Sequence, residues 1–281
     1  MQRPKKIANV IHPQLVSEGA GVKLQRSIAT RTLNYLDPFL LLDHFDSERP
    51  EDYLAGFPMH PHRGIETVTY VLNGSVHHQD SLGNAGTIGK GDIQWMTAGG
   101  GILHEEMPQR SDRMNGFQLW VNLPAKQKMR RPRYQDVPSN TIPQVQRNDG
   151  SLIRVVAGNV DGTPGAVTDI AADPLYLDVT VPPNSKFTYP IPAGHNSFSY
   201  VFEGSGSFGE EGSKMTAPTL IVWGDGDFVE VTTKESLVRF LLVSGKPLNE
   251  PVARYGPFVM NTKEEIEQAL DDLRRGTFVM S

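Results

Sequence analysis

The stretch "FPMHPHRGIETVTYVLNG" (57–74), followed by "GDIQWMTAGGGILHEEMP" (91–108), indicates how this chain folds. Short runs rich in Val, Ile, Thr and aromatic residues alternate with clusters of Gly, Pro, Asn and Asp, which is typical of strands joined by tight turns. The pattern continues over residues 20–245 and predicts an all-β protein. Further strands are predicted within 66–74, 76–84, 91–99, 115–124, 151–158, 175–183 and 236–245.

An internal repeat indicates that the all-β region has two similar halves. The segments "TYVLNGSVHHQD" (69–80) and "GTIGKGDIQWMTAGG" (86–100) have partners in "SYVFEGSGSFGEE" (199–211) and "PTLIVWGDGDFVEVTT" (218–233). In both halves an aromatic-led strand ends at a glycine turn, and a second strand follows a Gly-Asp corner. The repeat favours two β-barrels over one continuous sandwich.

The repeat also predicts the domain limits and the place of a helix. The expected domains are residues 1–135 and 136–281, joined across the Pro- and Arg-rich segment 124–144. Helical periodicity over a long window occurs only in 261–277, which places the helix with the C-terminal barrel. The residues that support this helix are Asn261 or Thr262 as the cap, Glu264 and Glu265 in the first turn, Ile266, Leu270 and Leu273 on one face, and Gly276 at the end.

Composition narrows the classes of function. The formal net charge of −5 gives no electrostatic reason to bind nucleic acid or an anionic membrane. The chain has no cysteine, which excludes disulfides, thiolate nucleophiles and Cys-ligated metals. It also has no run of about eighteen apolar residues, and its start has no apolar signal region. We therefore expect a cytoplasmic protein whose metal ligands, if present, are His, Asp or Glu.

Four side chains in the opening stretch have the spacing of metal ligands. Because successive side chains on a strand point to opposite faces, His60 and His62 share one face and Pro61 points away. The same alternation puts His104 and Glu106 on one face of a second strand. Three imidazoles and one carboxylate can therefore converge from two strands.

These donors indicate the class of metal. Three neutral nitrogens and one anionic oxygen suit Fe, Mn, Ni, Cu, Co or Zn rather than Ca or Mg, and four protein ligands leave a position open for chemistry. If no bulge intervenes, Gly64 and Glu66 continue the face of His60 and His62. The remaining histidines are interpreted as structural or solvent-exposed; they are His12, His44, His77, His78 and His195. The C-terminal barrel is therefore expected to be metal-free.

Residues 56–108 resemble the pirin family of the cupin superfamily. The resemblance extends from "LDPFLLLDHFDSE" (36–48) through "GFQLWVNLP" (116–124) to "YGPFVMNTKEEIEQAL" (255–270), so it covers nearly the whole chain. It implies a bicupin, that is, two jelly-roll β-barrels, with a C-terminal α-helix.

The resemblance also implies a ligand set. In pirins the carboxylate ligand stands two residues after the second-motif histidine, which gives His60, His62, His104 and Glu106. In the general cupin pattern the carboxylate would instead be Glu66, and spacing alone leaves both open. We assign Glu106 as the ligand and Glu66 as a residue that orients an imidazole from outside the ligand set.

Two functions from different classes follow from the resemblance. Enzymatic pirins resemble quercetin 2,3-dioxygenases, which would use Fe(II) and dioxygen to open a flavonol and release carbon monoxide, with Glu106 as the catalytic base. Such an enzyme needs an aromatic-sized cavity, and the candidate lining residues are Phe57, Met59, Trp95, Met96 and Ile102.

The alternative is a metal-dependent regulatory or adaptor protein that acts through a protein partner, as a transcriptional co-regulator or a modulator of a metabolic enzyme. The basic stretch "KQKMRRPRY" (126–134) is the local positive cluster that could dock such a partner, although we interpret it as a solvated linker. No DNA-recognition motif is present.

Overall fold

The computed structural model describes residues 2–279, which form two compact units. The first unit contains Gln14–Ser139 and residues 248–279, and the second contains residues 2–13 and Asn140–Pro247. Both are built mainly of antiparallel strands. No helix among the described residues is long and apolar enough to cross a membrane.

The strands are short, as the frequent turn residues require. They are β1 (Ile7–Ile11), β2 (Gln14–Glu18), β3 (Val22–Ile28), β4 (Phe39–Ser47), β5 (Phe57–His62), β6 (Ile65–Asn73), β7 (Val76–Asp80), β8 (Ala85–Ile88), β9 (Ile93–Thr97), β10 (Ile102–Pro108), β11 (Met114–Asn122), β12 (Arg133–Val137), β13 (Gln144–Gln146), β14 (Leu152–Ala157), β15 (Asn159–Val160), β16 (Thr163–Pro164), β17 (Leu175–Val181), β18 (Lys186–Pro190), β19 (Asn196–Phe208), β20 (Ser213–Thr216), β21 (Thr219–Trp223), β22 (Phe228–Thr232), β23 (Val238–Gly245), β24 (Ala253–Tyr255) and β25 (Phe258–Met260). The helix α1 is Lys263–Arg275, and 3-10 turns occupy Pro50–Asp52, Ala125–Gln127 and Ser139–Thr141.

Two sheets form the barrel of the first unit. One has the order β5-β10-β7-β8, and the other has the order β12-β9-β6-β11-β4-β3-β2. The antiparallel register of β5 and β10 sets His104 opposite His60. The first sheet therefore brings the two histidine motifs together, although 41 residues of chain lie between His62 and His104.

The second unit has a barrel filled with apolar side chains. Its main sheet has the order β1-β21-β19-β23-β17-β14-β13, with β18, β20 and β22 attached beside it. Large aromatic side chains occupy the buried cluster, including Phe187, Phe208, Trp223 and Phe240. These side chains form one buried apolar cluster inside the barrel.

The terminal segments lie in different units from those expected. Strand β1 pairs with β21, with Ile7 opposite Trp223, so residues 2–13 complete the second barrel. Residues 248–279, including α1, belong to the first unit rather than to the C-terminal barrel. The reason is pairing between segments that are far apart in sequence, because the amide of Val259 donates to the carbonyl of Arg63.

Helix α1 lies where the periodicity predicts it. Thr262 caps its first turn in a capping box with Glu265, and Gly276 ends it in the left-handed region with φ of 70°. Ile266 of the helix packs in a buried cluster with Phe258 and other residues of this C-terminal segment. The residues at each end of the helix therefore determine where it begins and ends. Packing within the first unit determines which of its faces is buried.

Arg63 attaches the C-terminal segment to the chain beside His62. Its Nη1 donates to Asp272 Oδ2 at 2.7 Å, its Nη2 donates to the carbonyl of Phe278, and its guanidinium carbon lies 4.4 Å from the Phe278 ring centroid. Arg63 is 3% exposed and the Asp272 side chain is 20% exposed, so removal of Arg63 takes away a buried donor and leaves a partly buried carboxylate without its cation.

We expect Arg63→Ala to loosen residues 248–279 at a cost of about 3 kcal/mol, the lower figure for breaking a buried ion pair. Limited proteolysis and amide hydrogen exchange in this segment would measure the change. The matched control is Arg274→Ala, because Arg274 forms an exposed ion pair with Asp271 on the same helix. Equal protection of the segment in both variants would contradict the assignment.

His44 makes the first unit sensitive to acid. It is buried on β4 and stacks on Phe117 at a centroid distance of 4.7 Å. Burial lowers the pKa of His44 to about 4. An unfolded histidine takes up a proton near pH 6.5, so between about pH 6.5 and 4 the unfolded state binds more protons and stability falls with the pH.

We expect His44→Gln to remove part of this acid sensitivity, up to about 3 kcal/mol for a shift of this size. Urea unfolding midpoints of metal-free protein at pH 7 and pH 4.5 would measure it. His12→Gln is the control, because His12 is exposed. An unchanged pH dependence in His44→Gln would contradict the assignment.

Candidate metal centre

Three histidines converge inside the first unit. The ligand atoms of His60, His62 and His104 all lie within 4.8 Å of one another, and no other group of three or more His, Asp or Glu side chains in residues 2–279 meets this condition. The His60 and His62 Nε2 atoms are 3.1 Å apart. The rings of His60 and His104 have a centroid distance of 4.4 Å.

Strand geometry explains this convergence. His60 and His62 alternate with Pro61 along β5, an edge strand where proline's missing N–H leaves no ladder bond unmade. The alternation ends at Gly64, which has φ of +82° and separates β5 from β6. A β-carbon at Gly64 would lie 1.9 Å from the Val259 carbonyl, so this tight corner requires glycine. The face of His60 and His62 therefore does not continue to Glu66 by simple alternation.

The imidazoles are held in a form suited to metal binding. Burial lowers the pKa of His62 well below its usual value and that of His104 to about 4, and it also lowers the pKa of His60. Neutral imidazole is the form that binds metals. The His60 Nδ1 atom lies 2.9 Å from the carbonyl of Pro58, which as an acceptor fixes the tautomer and leaves Nε2 free of a proton.

The ring nitrogens of His104 lack a partner that a metal would supply. The residue is 1% exposed, and neither ring nitrogen has a hydrogen-bond partner in the structure. A buried polar group without a partner costs free energy, so such groups persist where a ligand or function requires them. The donor set of three imidazoles suits a divalent transition metal. The site therefore fits the metal that its residues imply.

Glu106 lies on β10 beside this cluster but is not part of it. Its Oε1 accepts from the Thr69 hydroxyl at 2.9 Å, and its Oε2 accepts from Gln118 Nε2 at 3.2 Å. A bulge between His104 and Glu106 sets Glu106 opposite Phe57. The carboxylate is buried, 7% exposed, and both of its oxygens are oriented by neutral donors. Its role as a ligand stays a prediction.

Glu66 lies on β6, in the larger sheet. Its Oε2 accepts from Trp95 Nε1 at 3.0 Å, and its Oε1 accepts from the Thr97 hydroxyl at 2.9 Å. Both donors lie on β9, next to β6. The expectation that Glu66 orients an imidazole stays a prediction.

A cavity of about 600 Å³ opens onto the histidines. Its lining includes His60, His62 and Glu106. The volume is in the range typical of small-molecule sites. Most of the remaining wall is apolar, with contributions from Val22, Leu24, Leu41, Phe45, Tyr53, Val76, Met114 and Trp120.

The candidate lining residues from the sequence fall in three places. Phe57 lines this cavity. Met96 and Ile102 instead belong to a buried apolar cluster, Trp95 is 1% exposed and bonds Glu66, and Met59 is 44% exposed. None of these four lines the cavity. Strand alternation explains the difference for Met59, which lies between two cavity-lining neighbours and points away.

Sequence reasoning missed the charged part of the cavity wall. Arg26 donates to both oxygens of Asp43, at 2.8 and 2.7 Å, and to Glu18 at 2.6 Å. Arg254 lies over Trp120, whose ring meets that of His62 at a centroid distance of 5.0 Å. These residues come from distant strands, and no local motif marks them.

The basic stretch 126–134 is not uniformly exposed. Lys128 is 1% exposed and donates to the Asn122 side chain and to the carbonyls of Gly64 and Val259. Burial lowers its pKa to about 8. Lys128 therefore joins the corner after His62 to the C-terminal segment and cannot serve an outside partner.

Known proteins share this architecture. Residues 21–121 match the pirin family, and residues 176–279 match the pirin C-terminal cupin domain. The chain belongs to the pirin family. The resemblance predicted from the sequence is thus confirmed, as is the fold of two cupin barrels with a C-terminal helix.

Similar proteins carry different names. A pirin-like protein of Caulobacter vibrioides is 44% identical over 276 residues, 98% of this chain and 99% of its own. Human pirin is 44% identical over 278 residues, 98% of this chain and 94% of its own. The crystal structure of a quercetin 2,3-dioxygenase from Acinetobacter baumannii is 36% identical, has a TM-score of 0.88 and covers 98% of both chains. This pirin is therefore similar both to proteins named only as pirins and to a named dioxygenase.

Proposed function

We propose that this pirin is a metal-dependent dioxygenase that cleaves flavonols such as quercetin at the 2,3-bond and releases carbon monoxide. The observation that carries the proposal is His104, a buried imidazole with two unpartnered nitrogens, within a three-histidine cluster that opens onto a cavity. Similarity to the Acinetobacter baumannii quercetin 2,3-dioxygenase supports the choice of reaction.

His60, His62 and His104 would hold the metal, and we propose Glu106 as the fourth ligand. A bound metal would lower the pKa of the flavonol 3-hydroxyl and allow electrons to pass between the flavonol and dioxygen. Fe(II) is the proposed ion, and Mn, Ni, Cu, Co and Zn suit the same donors. A cytoplasmic location also stays a prediction from the sequence.

The position and partners of Glu106 support the proposal that it is the general base. Its carboxylate is buried, and it accepts hydrogen bonds from Thr69 and Gln118, which fix the orientation of both oxygens. We propose that one oxygen takes the proton of the flavonol 3-hydroxyl.

The apolar wall has two roles. Phe57 and Trp120 offer flat surfaces for the aromatic rings of a flavonol. When the flavonol rings pack against this wall they displace water. Loss of this water strengthens the electrostatic interactions around the reacting oxygen.

Anaerobic reconstitution tests the proposal. Metal-free protein is loaded with Fe(II) or, in parallel samples, with Mn, Ni, Cu, Co or Zn, mixed with quercetin and exposed to air. We expect the flavonol absorbance to disappear with one carbon monoxide released per flavonol, and metal-free protein to be inactive. No turnover with any of the six metals would overturn the dioxygenase proposal and leave the regulatory hypothesis, for which metal-loaded and metal-free protein should capture different partners.

A further inference from the structure

Arg254 places a positive charge close to the histidine cluster. It lies on β24, in the segment 248–279, and lines the cavity together with Gly256 and Pro257. Its guanidinium carbon is 5.0 Å from the Trp120 ring centroid, and the Trp120 ring meets the His62 ring edge-on at 87°. A single indole ring therefore separates this charge from a candidate metal ligand.

The hydrogen bonds of Arg254 go to uncharged oxygens. Nη1 donates to the carbonyl of Leu40 at 3.2 Å, and Nε donates to the carbonyl of Gly256 at 3.4 Å. Arginine has five N–H groups in a planar fork, so three remain for a further acceptor.

The other arginine of the cavity wall, Arg26, has carboxylates as its hydrogen-bond partners. Arg26 is bonded to both oxygens of Asp43 and to Glu18. Within the described residues, Arg254 is the cavity-lining cation that has no carboxylate at hydrogen-bonding distance. The charges of Asp43 and Glu18 act on Arg254 at longer range, but neither carboxylate takes one of its N–H groups. The cavity therefore has a cation with N–H groups left for a substrate anion.

We propose that Arg254 is a specificity-determining residue that binds a carboxylate of the substrate, so that the site prefers hydroxylated aromatic acids to uncharged flavonols. This inference rests on the proposed function, which places the substrate's hydroxyl oxygen at the histidine cluster and hence its acidic end toward Arg254. A carboxylate matches the fork because two parallel N–H groups can meet its two oxygens. Arg254 is an exposed residue, and the Trp120 ring covers one side of its guanidinium.

Paired ligands test the inference by binding alone. Metal-loaded protein is titrated without oxygen with 3-hydroxyflavone and with its 4′-carboxylate, by calorimetry or quenching of tryptophan fluorescence. We expect the carboxylate to bind about tenfold more tightly or better, as a charge-assisted hydrogen bond implies. High salt should reduce this preference.

Three variants separate charge from shape. In Arg254→Gln the two ligands should bind with about equal affinity, because glutamine has no charge. Glutamine can still donate to the Leu40 carbonyl, so the variant keeps this hydrogen bond. Arg254→Lys should retain part of the preference, since lysine keeps the charge without the fork. Arg131→Gln should retain all of it, because Arg131 is exposed and outside the cavity lining.

Several outcomes would overturn the inference. These are equal binding of the two ligands to the wild type, no binding of either, or an unchanged preference in Arg254→Gln. The dioxygenase proposal is judged separately, by aerobic turnover of quercetin, so turnover of quercetin without a carboxylate preference would overturn this inference alone.

Discussion

Replacing His104 with alanine is expected to abolish metal binding and, with it, turnover of quercetin. Loss of residues that only orient metal ligands lowers metal affinity by roughly 10- to 100-fold, so loss of a ligand should lower it by more than about 100-fold. Metal content after dialysis, measured by mass spectrometry, gives the result directly. The metal-free variant should still fold, because the substitution removes packing against His60 and His62 but breaks no hydrogen bond.

His77→Ala is the matched control for this change. His77 is exposed on β7, the strand that pairs with β10, and lies outside the histidine cluster. It should keep one metal per chain and full activity. Retention of metal and activity by His104→Ala would show that the ligand set is wrong.

Replacing Glu106 with glutamine is expected to lower kcat for quercetin by about 100-fold or more, the usual contribution of a positioned general base. Glutamine keeps the shape, and its one amide oxygen can still accept the hydrogen bond of Thr69 or that of Gln118, but it cannot take a proton at neutral pH. We also expect weaker metal binding, because the three histidines would remain as ligands without the carboxylate. Steady-state kinetics at saturating metal separates the two effects.

Glu105→Gln is the control, because Glu105 precedes Glu106 on β10, points the other way and accepts from Gln79. It should leave kcat and metal affinity unchanged. If Glu106→Gln retained more than a tenth of the wild-type kcat with metal bound, Glu106 would not be the base.

The features that the sequence predicted are those encoded over a few residues. Alternation along one strand indicated that His60 and His62 share a face, and the structure places their Nε2 atoms 3.1 Å apart. The capping box of Thr262 and Glu265, with Gly276 at the other end, fixed the limits of α1. The repeat of strand and glycine turn indicated two barrels, which the family comparison confirms.

The features that the sequence did not predict depend on pairing over long distances. Nothing near residues 7–11 indicates that they pair with 219–223, nor that 248–279 pack on the first barrel. The same holds for Arg254, which reaches the cavity through this exchange of segments. Met96 and Ile102 lie in a buried apolar cluster and not in the lining of this cavity. An apolar side chain on a barrel strand has the same local pattern whether it lines a cavity or packs in the core.

X-ray absorption at the metal edge of the Fe(II)-loaded protein tests the central claim, that one metal is bound by His60, His62 and His104. Multiple scattering from imidazole rings counts the histidine ligands. We predict three imidazoles together with oxygen ligands in the wild type. A spectrum with one imidazole or none, or one that is the same in His104→Ala, would contradict the metal centre and the function built on it.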